Sequence, residues 1–234
     1  MKALHIPAKI QSKVDIPEDF IQKLPDTVAV FTPIQLIDNM ESFIEQIEST
    51  GRTTKTFKTG HTRNNGQILG CNVQPWQEYG DVEFDAFVYI GDGLFHPRAL
   101  VWKNKDKEVY GYNPFTEEQY TVDNSEVQKI RKRYHAAVSH FHLKKEIGVL
   151  VTTKPGQMLL RRARELRDEY PDKNFYYFID NTYDFSALDD FNFVDVWVNT
   201  ACPRISFEDQ IHLEKPVVNM EDVKKENARR ALIR

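Results

Sequence analysis

The stretch Phe87-Val88-Tyr89-Ile90-Gly91-Asp92-Gly93-Leu94-Phe95-His96-Pro97 opens with four bulky apolar or aromatic residues and breaks into an aspartate flanked by glycines. A short run of this kind, with no polar alternation, reads as a strand buried on both faces, the pattern of parallel sheets. Comparable runs recur at 3–6, 28–32, 109–112, 147–151, 175–179 and 194–198. Helical periodicity fills the spaces between them. Thr32-Pro33 is a helix-start signal followed by Ile37, Met40, Phe43, Ile44 and Ile47 at helical spacing. Asp123-Asn124-Ser125 opens a second helix through Val127, Ile130, Tyr134, Val138 and Phe141. Pro155 begins a third, with Leu159, Leu160, Ala163 and Leu166 inward and Arg161, Arg162, Arg164 and Arg167 toward water.

Strands alternating with helices predict an α/β fold of parallel sheets flanked by helices. The alternation occurs twice, so two Rossmann-like domains are expected, over 1–120 and 121–234, with a boundary near the helix at 124–144. The chain has 234 residues, 41% of them hydrophobic and 28% charged, enough apolar mass for two cores. The last fifteen residues, ending Lys224-Lys225-Glu226, then Asn227 to Arg234, read as a charged helix or solvated tail.

A net charge of −4 argues against direct nucleic-acid binding, which needs a basic surface to meet phosphates. No apolar run approaches the roughly 20 residues that cross a bilayer, and the first ten residues lack a signal-peptide core. The expectation is a cytoplasmic chain with no membrane partner, whose thiols stay reduced.

Parallel sheets bind ligands beyond the carboxyl ends of their strands. Three segments are expected there. Gly91-Asp92-Gly93 allows close backbone approach and could offer amides to an anion, although a plain turn with His96 packed nearby reads equally well. Thr152-Thr153-Lys154-Pro155-Gly156-Gln157 leads into a helix whose N-terminus would suit a carboxylate or phosphate, or is an ordinary capped start; the glycine spacing is not that of a P-loop. The third segment is Ala201-Cys202-Pro203-Arg204. Cys202 and Cys71, the latter in Gly66-Gln67-Ile68-Leu69-Gly70-Cys71, are the only cysteines. Free cysteine is usually just buried, but Arg204 beside Cys202 would favour the thiolate that ligates metal. Neither cysteine has a zinc-type partner close in sequence, and His140 and His142 would fall on different helix faces. No Gly-x-Ser-x-Gly elbow and no RNP motif is present.

Taken in order, GQILGCN (66–72), DAFVYIGDGLFHPRAL (85–100), GYNPF (111–115), KIRKRY (129–134), GVLVTTKPGQ (148–157), VNTACPRISFED (198–209) and KPVVN (215–219) resemble the diphthamide synthase family, the 2-(3-amino-3-carboxypropyl)histidine synthases. The likeness runs from about 26 to about 223. Family members have three similar α/β domains, each donating one cysteine to a [4Fe–4S] cluster, and this chain matches the second and third. The resemblance implies a radical SAM-type transferase of diphthamide biosynthesis. Its cluster cleaves S-adenosyl-L-methionine to a 3-amino-3-carboxypropyl radical, which adds to a histidine of translation elongation factor 2. It implies Cys71 and Cys202 as cluster ligands, Gly91, Asp92, Gly93, Gln157 and Asp180 as shaping the S-adenosylmethionine pocket, and Arg204 as a cofactor-binding residue that tunes or shields the cluster. No catalytic side chain is assigned. Arg131 and Arg133 match a basic family segment.

The family's first domain and its cysteine have no counterpart in this sequence. Three arrangements follow: a homo- or hetero-oligomer in which another chain supplies that domain, a non-catalytic accessory subunit, or an S-adenosylmethionine-binding module without a cluster. His96 or water as a substitute ligand is a further alternative. An electron donor is the remaining partner the resemblance implies.

Overall fold

The computed structural model describes residues 4, 6–73, 75–79, 82–122, 124–208 and 213–224. The chain divides into two compact units, one ending at Val127 and the other beginning at Gln128. The division falls inside the helix Asn124–Leu143.

The first unit contains α1 (Glu18–Ile21), β1 (Thr27–Phe31), α2 (Met40–Glu48), β2 (Thr53–Lys55), β3 (Ala86–Ile90), α3 (Phe95–Trp102), β4 (Glu108–Asn113) and β5 (Glu118–Thr121). Its sheet has the order β2-β1-β3-β4-β5. The first four strands are parallel, and β5 folds back antiparallel on β4. Every residue of β3 is buried, which accounts for its unbroken apolar sequence. One face packs Val28, Val30, Val88 and Ile90 against Phe20, Leu36, Phe43 and Ile47. The other holds an aromatic row in which Phe84 meets Phe87 edge-on at 4.9 Å and Phe31 lies 6.0 Å from Phe87.

The second unit holds most of α4 (Asn124–Leu143), then β6 (Glu146–Thr152), α5 (Leu160–Glu169), β7 (Asn174–Asp180), α6 (Phe185–Leu188), β8 (Val196–Asn199), β9 (Val217–Asn219) and α7 (Met220–Val223). Its four strands are all parallel in the order β7-β6-β8-β9. Phe141 of α4 and Ala163 and Leu166 of α5 cover one face with Val149, Val151, Val196 and Val198. Leu188, Val194 and Leu213 cover the other with Leu150 and Trp197. Two parallel-dominated sheets flanked by helices are therefore the architecture, as the sequence pattern predicts.

Three local expectations are corrected. Thr32-Pro33 does not cap an α-helix. Pro33 leads into a 3-10 segment, Ile34–Asn39, and α2 follows from Met40. The Thr32 hydroxyl instead donates to the carbonyl of Ile90 at 2.7 Å, tying two strand ends together. The helix expected from Pro155 starts five residues later, because Gly156 takes φ +80° in a turn closed by Gln157 N–H on the Lys154 carbonyl. In the strand expected at 3–6, Ala3 and His5 lie outside the described residues, and Leu4 and Ile6 are exposed and in no strand.

Candidate functional site

In the first unit, the segment from Phe57 to Val73 folds over the carboxyl end of the sheet. Thr32, just past β1, donates its N–H to the Gly66 carbonyl and accepts from Ile68 N–H, 2.8 and 3.1 Å. The Asn72 side chain is 1% exposed and organises the turn. Its Oδ1 accepts from Leu69 N–H at 2.7 Å and from the Thr59 hydroxyl at 2.9 Å, while Nδ2 donates to the Gly60 carbonyl at 2.9 Å. Cys71, immediately before it, is partly exposed and in no disulfide. Gly70 lies so close to the Phe95 ring that a Cβ there would overlap it. Phe95 is the first residue of α3, so the cysteine turn is seated against the helix that follows β3.

Gly91-Asp92-Gly93 connects β3 to α3. Gly91 N–H donates to the Tyr112 carbonyl at 2.9 Å, and the Asp92 carboxylate accepts from Asn113 Nδ2 at 3.0 Å. The Tyr89 hydroxyl reaches the Asp92 carbonyl at 3.1 Å and His96 Nδ1 at 3.2 Å. Burial raises the Tyr89 phenol well above its ordinary pKa, with Tyr120 and Asp92 adding to the shift. Asp92, Gly93, Arg98, Asn113, Thr116 and Tyr120 border a cavity of about 460 Å³. Its walls carry both signs of charge, which suits a small zwitterionic or cationic ligand.

In the second unit, Cys202 is likewise partly exposed and in no disulfide, and it stands just before the 3-10 turn Pro203–Ser206. Two buried asparagines hold that turn. Asn199 Nδ2 donates to the Cys202 carbonyl at 2.8 Å and to Asn219 Oδ1 at 2.8 Å, and Asn199 Oδ1 accepts from Ala201 N–H at 3.0 Å. Asn219 Oδ1 also accepts from the Ser206 hydroxyl, and its Nδ2 donates to the Pro203 carbonyl. The network continues to Tyr134, which accepts from Asn219 N–H and donates to Asp222 at 2.6 Å. Burial and the Asp222 charge hold the Tyr134 phenol well above its ordinary pKa.

The remaining expected site residues fall in different settings. Gln157 is exposed beyond the carboxyl end of β6, and Asp180 is exposed as the last residue of β7, where its carbonyl accepts from Thr153 N–H at 2.9 Å. Arg204 is buried, 5% exposed, and its guanidinium pairs with Glu208 four residues on. Arg131 is buried too, which lowers its pKa, whereas Arg133 is exposed. Sequence reading missed Asn72, Asn199, Asn219 and Tyr134. The signal for two of them is an asparagine closing a fully apolar run, at Val196-Trp197-Val198-Asn199 and Val217-Val218-Asn219.

Among the described residues no group of three His, Cys, Asp or Glu side chains gathers as a metal site. Each thiol, partly exposed on a braced turn, fits the part of a single cluster ligand. Cys71 and Cys202 are the two thiols the sequence offers for such a part.

The family model for diphthamide synthesis proteins matches residues 1–226. The chain belongs to the diphthamide synthesis protein family. It is 30% identical over 201 residues to the 2-(3-amino-3-carboxypropyl)histidine synthase of Methanocaldococcus jannaschii, covering 81% of this chain and 56% of that protein. Subunit 1 of the human synthase is 25% identical over 193 residues, covering 82% of this chain and 42% of that one. The crystal structure of Dph2 from Pyrococcus horikoshii with a 4Fe-4S cluster superposes with a TM-score of 0.69 at 27% identity, covering 87% of this chain and 57% of that one. This member of the diphthamide synthesis family therefore spans little more than half the length of its archaeal relatives. No helix among the described residues is long and apolar enough to cross a membrane.

Proposed function

We propose that the chain acts in diphthamide biosynthesis, with Cys71 and Cys202 each ligating one iron of a [4Fe–4S] cluster. The observation that carries this reading is the matched construction of the two cysteine turns. Both lie among segments shared with a family in which one solved relative holds such a cluster. Both thiols are partly exposed, and both turns are fixed by a fully buried asparagine. When bound, the cluster would supply the electron that cleaves the sulfonium of S-adenosylmethionine, with the 3-amino-3-carboxypropyl group passing to a histidine of elongation factor 2.

This chain's residues have distinct parts in that reading. Asn72 and Asn199 keep the thiols at fixed positions. Gly91, Asp92 and Gly93 line the approach for S-adenosylmethionine, with the Asp92 carboxylate, oriented by Asn113, facing its amino group. Gln157 and Asp180 contribute polar groups at the strand ends. Arg204, held inside by Glu208, stiffens the Cys202 turn. Two thiolates leave the cluster at least one protein ligand short of the family's three, so that ligand comes from a polypeptide segment outside this sequence. An electron donor completes the system.

The test is anaerobic reconstitution with iron and sulfide, together with a protein that supplies the further ligand, followed by optical and electron paramagnetic resonance spectra. Loss of the cluster signal in both Cys71→Ala and Cys202→Ala supports the reading, and an unchanged signal in both removes it. A second reading, an S-adenosylmethionine-binding module without a cluster, is favoured by the cavity that Asp92, Arg98 and Asn113 border. Binding of S-adenosylmethionine by the double alanine variant would select it.

A further inference from the structure

Helix α4 and the segment 213–216, which leads into β9, border a second cavity of about 320 Å³. Arg133, Ala136, Ala137 and His140 line it from the helix. Their spacing of three, four and seven residues from Arg133 puts all four on one face, and the two alanines leave a hollow between longer side chains. The floor is apolar. Ala137 and Leu213 are buried there, and Pro216 adds to it.

The rim of this hollow is charged. Arg133 comes from the helix and Glu214 from the facing segment, and both are exposed. Among the described residues the side chains of Arg133, His140 and Glu214 have no hydrogen-bond or ion-pair partner, so the two opposite charges do not close on each other. Lys215 is committed elsewhere, its ammonium donating to the Phe191 carbonyl at 2.6 Å. A cation and an anion thus border one small space. A phosphate or dicarboxylate there would gain Arg133 and be repelled by Glu214, and a polyamine would meet the reverse. A zwitterion satisfies both groups.

We propose that this cavity binds a free α-amino acid with an aliphatic side chain. The ligand carboxylate takes the planar guanidinium of Arg133, whose fork of donors matches two oxygens. Its ammonium takes the Glu214 carboxylate, and its side chain rests on Ala137, Leu213 and Pro216. Size and lining argue against a nucleotide. The volume of about 320 Å³ lies at the lower end of the roughly 300–1,000 Å³ span of ligand sites, and no Phe, Tyr or Trp borders the hollow to stack a base. Arg133 belongs to the basic segment 129–134, for which the cysteine chemistry has no use. The site shares no residue with the cavity that Asp92 borders or with the cysteine turns, so its occupancy is measured without iron.

The test is calorimetric titration of the full chain with L-leucine, for which saturable binding at millimolar concentration is expected. Isocaproate lacks the ammonium and isoamylamine lacks the carboxylate. Each should bind about tenfold more weakly than leucine, or worse, as loss of a charge-assisted contact requires. L-Serine keeps both charges and gives up the apolar contact, so it too should bind more weakly. Arg133→Gln and Glu214→Gln, both at exposed positions, should each weaken leucine by about tenfold with an unchanged circular dichroism spectrum. Ala136→Phe fills the hollow without altering its charge and should remove binding. A chain that leucine does not saturate overturns the proposal, as does isocaproate binding as well as leucine. Displacement of leucine by inorganic phosphate, the mark of a plain anion site, overturns it too, and so does leucine affinity indifferent to Arg133→Gln and Glu214→Gln.

Discussion

The side-chain amide of Asn199 donates to the main-chain carbonyl of Cys202 at 2.8 Å, so the last residue of β8 sets the direction of the turn that carries the thiol. The same amide reaches Asn219 at the end of β9, and two neighbouring strand ends are joined through one nitrogen. Asn199→Ala removes three hydrogen bonds and leaves Asn219 Oδ1 with one donor fewer. The expected loss is about 2–3 kcal/mol, given about 1 kcal/mol per net hydrogen bond and more for groups left buried and unmet. Urea unfolding measures it. The rate of Cys202 alkylation should change in the same variant.

Gly70 and Phe95 form a second pair whose coupling is measurable. Gly70→Ala places a methyl group in the Phe95 ring and should cost about 1–3 kcal/mol, the usual range for overpacking. Phe95→Ala makes room for it. The two changes together should cost less than their sum, and a double-mutant cycle in urea reads the difference.

Alkaline pH should unfold the protein steeply. Tyr89, Tyr120, Tyr134 and Tyr183 all have phenols raised above 10.0, with burial as the first cause in each. A folded-state pKa above the unfolded value means that the folded chain holds more protons above pH 10, so stability falls as pH rises from there. Below that pH these groups contribute no slope. The phenolate absorbance should appear together with loss of circular dichroism, later than in free tyrosine. Tyr134→Phe should lower stability at neutral pH, by loss of its bonds to Asp222 and Asn219, and reduce the alkaline slope.

Removing either thiol should leave the fold intact. Both cysteines are partly exposed, and asparagine amides brace both turns, so Cys71→Ala and Cys202→Ala should each melt within about 1 kcal/mol of the wild type. Their effect should fall on the iron–sulfur spectrum.

Sequence pattern and structure agree best where burial is complete. Strands β3 and β6 are covered on both faces, and their unbroken apolar runs leave one reading. Pattern fails at the sheet margins. β5, Glu118-Gln119-Tyr120-Thr121, is a polar strand that exists because the chain after Asn113 turns back on β4. β7 was expected to be buried because its residues are apolar, but an edge strand with large aromatic side chains has the same composition. Within the candidate site, both cysteines are legible from their frames. The asparagines that fix them are not, because a buried amide is recognised by the groups it meets, and some of these are distant in sequence: Gly60, twelve residues before Asn72, and Asn219, twenty after Asn199.

The bracing of the two cysteine turns bears on durability in the presence of oxygen. Small zinc domains collapse when the ion leaves, since the ion holds their loops. Here Asn72 and Asn199 close the turns with hydrogen bonds from the protein itself. An iron–sulfur centre destroyed by oxidation would leave its sockets standing, and the damaged protein could be recharged without first being refolded.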